Sequence, residues 1–183
     1  HPGVRTAFPG TSIGSQLLRV AELIQARDSF GLSRQLFFVS LGGFDTHTNQ
    51  LTEQANVLSQ LDAALTAFYQ ATEELGVASQ VVTFTMSEFG RTVSPGSGGS
   101  DHGWGSHHFV MGGSVRGGNL YGQFPSLKLG GSNDAGELGR LIPSTSVDQY
   151  AASVARWLGV AEIDIMHIFP NLRNFQPSGL AFV

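Results

Sequence analysis

The order of helices and strands along the chain predicts an α/β fold with a mostly parallel sheet flanked by helices. Long amphipathic patterns alternate with short apolar runs, and a helix between two strands usually makes a right-handed crossover to a parallel neighbour. The 183 residues include 41% hydrophobic and only 13% charged residues. This length and composition suit one core-forming domain.

The first half of the chain predicts a helix, a strand and a second helix. Thr11 or Ser12 is expected to cap the first helix, which shows apolar residues at helical spacing and ends by Gly31. Residues 36–41 are almost all apolar, which is typical of a strand buried on both faces. The apolar stripe over residues 51–75 predicts the long second helix.

The second half predicts two more strands and a last helix. Residues 81–86 form a second apolar run, residues 108–111 a shorter third one, and Ser146 precedes a helical pattern that reaches Leu158 and ends at Gly159. In open parallel sheets, ligands bind beyond the carboxyl ends of the strands. The polar residues that follow the first two strands are therefore the first candidates for a functional site.

Two glycine-flanked stretches hold four of the six histidines. In the first, Asp45 and His47 are two residues apart, so both side chains point to one side of an extended segment. In the second, Asp101 and His102 are adjacent. Carboxylate and imidazole donors without any cysteine suit zinc, manganese or iron. The alternative is that each stretch is only a surface turn, for which Asp-His-Gly is equally suited.

A third polar segment lies between these two stretches. Glu88 is read as a metal ligand, a general base or the partner of Arg91, and Arg91 as the fork for a phosphate or sulfate group or as a structural ion pair. Ser87 and His107 are candidates for supporting the ligands by hydrogen bonds. His107 and His108 alternate in direction when extended, so at most one faces the site.

Glycine is unusually frequent, with 24 residues. The glycine-rich stretch at about 94–107 is interpreted either as a mobile surface loop or as a site loop, in which glycine lets the backbone approach a ligand. The chain begins at His1-Pro2 without methionine, and we expect it to be processed or truncated.

Charge and hydropathy exclude two classes of partner. The net charge is −4 and Lys128 is the only lysine, which argues against nucleic acid. No apolar run reaches the roughly 18–20 residues of a membrane span.

Five segments together resemble the bacterial family known as domain of unknown function 1501, over almost the whole chain. They are residues 42–50, 87–92, 101–103, 116–122 and 169–175. That family is similar to the alkaline phosphatase and sulfatase superfamily. The resemblance therefore implies an alkaline phosphatase-like fold, of which residues 1–183 form the C-terminal half of one domain, with the missing N-terminal half as its partner.

The resemblance also implies roles for single residues. Asp45, His47 and His102 match the ligands of a first metal, and Asp101 either joins His102 or orients it. Glu88 stands where the superfamily has an Asp-His pair for a second metal, so one or two divalent ions such as zinc or manganese are expected. The nucleophile of the superfamily lies in the missing half, and no residue here is given that role.

The leading hypothesis is a metal-dependent hydrolase of phosphate or sulfate esters, small or polymeric, in which Arg91 neutralises the departing group. The alternative is a secreted or cell-envelope binding protein that has lost catalysis on the same scaffold. A metal-dependent isomerase or transferase of phosphorylated sugars would use the same ligands. The resemblance implies a periplasmic or secreted location.

Overall fold

The computed structural model describes residues 3–183, and His1 and Pro2 lie outside the described residues. The chain divides into two compact units. The first comprises the described residues up to Val81 together with Gly96–Gly99. The second comprises Val82–Pro95 and Ser100–Val183.

The first unit is built on two packed helices. Its helices are α1 (Ser12–Gln25), the short α2 (Arg27–Phe30) and α3 (Gln50–Glu74). The Thr11 hydroxyl accepts the Gly14 N–H at 3.2 Å, which caps α1 as the sequence predicts. Apolar positions three or four residues apart bring α1 against α3. The buried residues of the two helices include Ile13, Leu17, Ala21, Ile24, Ala64, Phe68 and Ala71.

The strand predicted over residues 36–41 is wrong. This segment is not part of any sheet among residues 3–183. Leu36 and Phe38 are 77% and 92% exposed, so the apolar run is not buried on both faces. The side-chain amide of Gln16 pairs with both backbone groups of Ser40, at 2.9 Å each. A side chain of α1 therefore takes the place that a neighbouring strand would occupy in a ladder.

The second unit contains four strands in two small sheets. They are β1 (Thr83–Phe84), β2 (Gly90–Pro95), β3 (Ser100–Gly103) and β4 (Val110–Met111). β1 pairs with β4, β2 pairs with β3, and both pairs are antiparallel. The expected mostly parallel, alkaline phosphatase-like sheet is therefore wrong. The β2–β3 pair joins strands only four residues apart, a connection too short for a parallel crossover.

The apolar runs at 81–86 and 108–111 form only short strands. β1 and β4 pair over two residues each. Next to this pair, the Tyr150 hydroxyl lies 3.3 Å from the Thr85 carbonyl and 3.2 Å from the Phe109 carbonyl. Tyr150 thus adds polar contacts at the end of this pair, where the Thr85 N–H still donates to the Phe109 carbonyl at 3.0 Å.

The remaining helices are α4 (Val147–Leu158) and α5 (Glu162–Ile168), followed by a 3₁₀ turn at Pro170–Asn174. α4 was predicted and carries a complete capping box, in which Ser146 and Gln149 each bond the other's backbone. These helices and the C-terminal residues form the hydrophobic core of the second unit. Its buried residues include Tyr150, Ala152, Val154, Ile165, Leu172 and Phe182. Among the described residues, no helix has the length and apolar character to cross a membrane.

Candidate metal centre

The predicted site residues are divided between the two units. Asp45 and His47 belong to the first unit, whereas Glu88, Asp101 and His102 belong to the second, as does Arg91. All five predicted ligands are solvent-exposed.

Asp45 and His47 come together in the first unit. His47 Nε2 lies 2.9 Å from Asp45 Oδ1, and both side chains are about half exposed, at 52% and 59%. Two ligands of one tetrahedral zinc, each about 2.0–2.1 Å from the ion, lie about 3.3 Å apart. A small opening of the observed pair would therefore admit an ion between the two atoms.

The burial of Thr46 accounts for the exposure of Asp45 and His47 on either side of it. Thr46 is only 1% exposed, and its hydroxyl accepts the Gln54 side-chain amide of α3 at 3.2 Å. Its backbone N–H donates to the Phe44 carbonyl at 3.0 Å. Because Thr46 points into the unit, the side chains on either side of it are free to point outward.

Residues Gly96–Gly99 line the same part of the first unit. The Gln50 N–H at the start of α3 donates to the Gly98 carbonyl at 2.9 Å. A Cβ built on Gly99 would overlap the backbone of His47. Only glycine permits this approach, so the glycine-rich stretch is packed against the segment that carries Asp45 and His47.

In the second unit, the β2–β3 hairpin places Arg91 opposite His102. The Arg91 guanidinium is bonded to Ser100, through Nε to the hydroxyl at 3.3 Å and through Nη2 to the carbonyl. The His102 ring stacks on Phe89, with ring centroids 4.0 Å apart and planes 3° from parallel. The hairpin therefore fixes a predicted ligand and the predicted anion fork side by side.

Asp101 is held on both carboxylate oxygens. Oδ1 accepts the His102 N–H at 2.8 Å, and Oδ2 lies 3.3 Å from Nη2 of Arg140. The Asp101 N–H donates to the hydroxyl of Thr92 at 3.1 Å. Thr92 is buried, so it anchors the strand beside the exposed ligands much as Thr46 does in the first unit.

Arg140 was not among the residues that the sequence suggested. It follows a turn built on Asp134, whose carboxylate accepts backbone N–H groups from Gly130, Gly136, Gly139 and Arg140 at 2.9–3.1 Å. These bonds, led by that from Gly130, lower the pKa of Asp134. Only the structure reveals that this turn delivers Arg140 to Asp101, because 39 residues separate the pair.

The other predicted residues lie outside these contacts. Glu88 is exposed at a bend ahead of β2. The Ser87 hydroxyl donates to the Phe89 carbonyl at 3.1 Å. The His107 ring is tilted against Phe124 at 5.3 Å.

His108 faces a different neighbour from His107. Its ring stacks on Tyr150 at 5.9 Å. Partial desolvation, followed by the proximity of His107, lowers the pKa of His108.

Comparison with known proteins gives one match. The model of the family described as "Protein of unknown function (DUF1501)" matches residues 13–141. No curated protein and no solved structure matches the chain. The predicted family is thus confirmed, whereas the further likeness to alkaline phosphatases and sulfatases has no matching structure behind it.

Proposed function

The chain belongs to the DUF1501 family, and we propose that it is part of a metal-dependent hydrolase of phosphate or sulfate esters. The observation that carries this proposal is the Asp45–His47 pair, with a carboxylate oxygen and an imidazole nitrogen 2.9 Å apart. Both atoms are types that zinc and manganese accept. In the proposal these two residues hold one divalent ion.

His102 is proposed as a further metal ligand, as the family resemblance implies. The hairpin supports this assignment, because it holds the exposed His102 ring against Phe89. Asp101 then acts on His102 through its backbone bond, and Glu88 is left as the candidate for a second ion.

The bound ion would polarise the ester oxygen and activate the attacking group. Arg91 offers positive charge to the oxygens of the phosphate or sulfate group, which would compete with Ser100 for its guanidinium. The resemblance implies that the nucleophile comes from the N-terminal half of the family domain. It also implies a periplasmic or secreted protein.

Metal content and hydrolysis of the complete protein test this function. The protein is loaded with zinc or manganese, dialysed, and analysed for metal and for hydrolysis of aryl phosphate and aryl sulfate esters. We expect retained metal and hydrolysis in the wild type, and loss of both in His47→Ala. His167→Ala is the matched control, because it removes an exposed histidine of α5 outside the proposed ligand set. Equal metal retention in both variants would contradict the assignment.

A binding protein without catalysis is the second candidate. One observation favours it: Arg91 is already bonded to Ser100, and Asp101 is paired with Arg140. Side chains that are already bonded within the protein stabilise the fold, and they would have to break these bonds to bind a substrate. Retained metal with no hydrolysis of any aryl phosphate or sulfate ester would favour this candidate over the hydrolase.

A further inference from the structure

Phe89 lies in the segment 87–91 but has no role in the ligand chemistry described above. We propose that Phe89 is a positioning residue, whose ring fixes the imidazole plane of His102 for metal binding. This role rests on the proposed function, because it assumes that His102 is a ligand.

The geometry around Phe89 is specific. Its ring is parallel to that of His102 within 3°, with centroids 4.0 Å apart. The Arg91 guanidinium carbon lies over the same ring, 5.8 Å from its centroid. One aromatic side chain therefore contacts both the proposed ligand and the proposed anion-binding group.

The backbone under Phe89 is also fixed. The next residue, Gly90, is buried, and a Cβ there would overlap the Gly105 carbonyl. The Phe89 carbonyl accepts the Ser87 hydroxyl at 3.1 Å. Phe89 itself is half-buried at the start of the hairpin, and its ring contacts both His102 and Arg91.

A stacked ring changes what an exposed histidine can do. Without a neighbour, the imidazole of a surface histidine turns about its side-chain bonds and must be ordered when an ion binds. A parallel ring at 4.0 Å covers one face of His102, and this contact uses neither of the two ring nitrogens. The His102 imidazole is then ordered before the ion binds, which raises the affinity for the ion.

The test compares Phe89→Leu, Phe89→Met and Phe89→Tyr in the complete protein. Zinc affinity is measured by calorimetry, and the ring protons of His102 are followed by NMR without metal. We expect Leu and Met to remove the ring-current shift of His102 and to raise the zinc Kd about tenfold, as groups that orient a ligand do. Phe89→Tyr keeps an aromatic ring, so its ring-current shift and its zinc Kd should equal those of the wild type.

Phe124→Leu is the matched control, since Phe124 also contacts a histidine ring, that of His107, but in a tilted arrangement at 5.3 Å. Its zinc Kd should equal that of the wild type. A wild-type Kd in both Phe89→Leu and Phe89→Met, with the ring-current shift lost, would overturn the positioning role and leave the proposed function intact. A wild type that binds no zinc would instead remove the proposed function, and this role with it.

Discussion

The segment around Thr46 in the first unit and the β2–β3 hairpin of the second unit expose candidate ligands in different ways. Each places a buried threonine next to exposed polar side chains. In the hairpin, Thr92 accepts a backbone N–H, and the strands are paired on either side. Around Thr46, the partner is a side chain of α3, and no strand is present. The first segment therefore depends on single contacts, whereas the hairpin is held by a ladder.

The largest effect should come from the glycine that contacts the first segment. Gly99→Ala places a Cβ against the His47 backbone, and we expect the free energy of unfolding to fall by about 3 kcal/mol, as in an overpacked core. Gly96→Ala is the control, because its Cβ would sit 3.6 Å from the Gly99 carbonyl, an ordinary contact. Urea unfolding that ranks the two variants equally would refute the close approach.

Replacing the two buried threonines should lower the free energy of unfolding by different amounts. Thr92→Val leaves the Asp101 N–H without its acceptor, and we expect a loss of about 1.5 kcal/mol. Thr46→Val releases only the half-buried amide of Gln54, which water can reach, so about 0.5 kcal/mol is expected. Thermal or urea unfolding measures both. A larger loss in Thr46→Val would reverse the comparison.

The smallest effect is expected for Glu74, at the C-terminal end of α3, and concerns stability at acidic pH. The Thr6 hydroxyl, then the Arg5 backbone, lower the pKa of Glu74 to about 2. The folded state therefore binds this proton less readily than the unfolded state. The stabilising contribution of Glu74 is complete above its usual pKa of 4.5 and is lost as the pH falls towards 2. Unfolding measured across this range should show a shallower pH dependence in Glu74→Gln.

Thr6→Val should remove part of the same pH dependence, because it deletes the bond that lowers the pKa most. An unaltered slope in Glu74→Gln would show that other groups cause the acid sensitivity of the first unit.

The helices were predictable because their signals are local. Caps at Thr11 and Ser146 and apolar residues at helical spacing lie within a few positions of each other, and α1, α3 and α4 follow them. The sheet was not predictable in this way. An apolar run such as 36–41 does not specify its partner, and here the Gln16 side chain meets its backbone at Ser40.

The candidate site shows the same limit. The Asp45–His47 pair follows from a spacing of two residues, and the structure brings their atoms together. The contacts of Asp101 with Arg140 and of His102 with Phe89 join residues 39 and 13 positions apart. Neither contact leaves a pattern in the sequence, because folding of the whole unit creates it.

A double-mutant cycle on zinc affinity tests the central claim, that Asp45 and His47 bind one ion. Calorimetry of the wild type, Asp45→Ala, His47→Ala and the double variant gives the four binding free energies. Ligands of a shared ion should depart from additivity by more than about 0.5 kcal/mol, and each single variant should weaken the same ion. Additive effects within that limit, or an Asp45→Ala variant with wild-type zinc affinity, would contradict the shared ion.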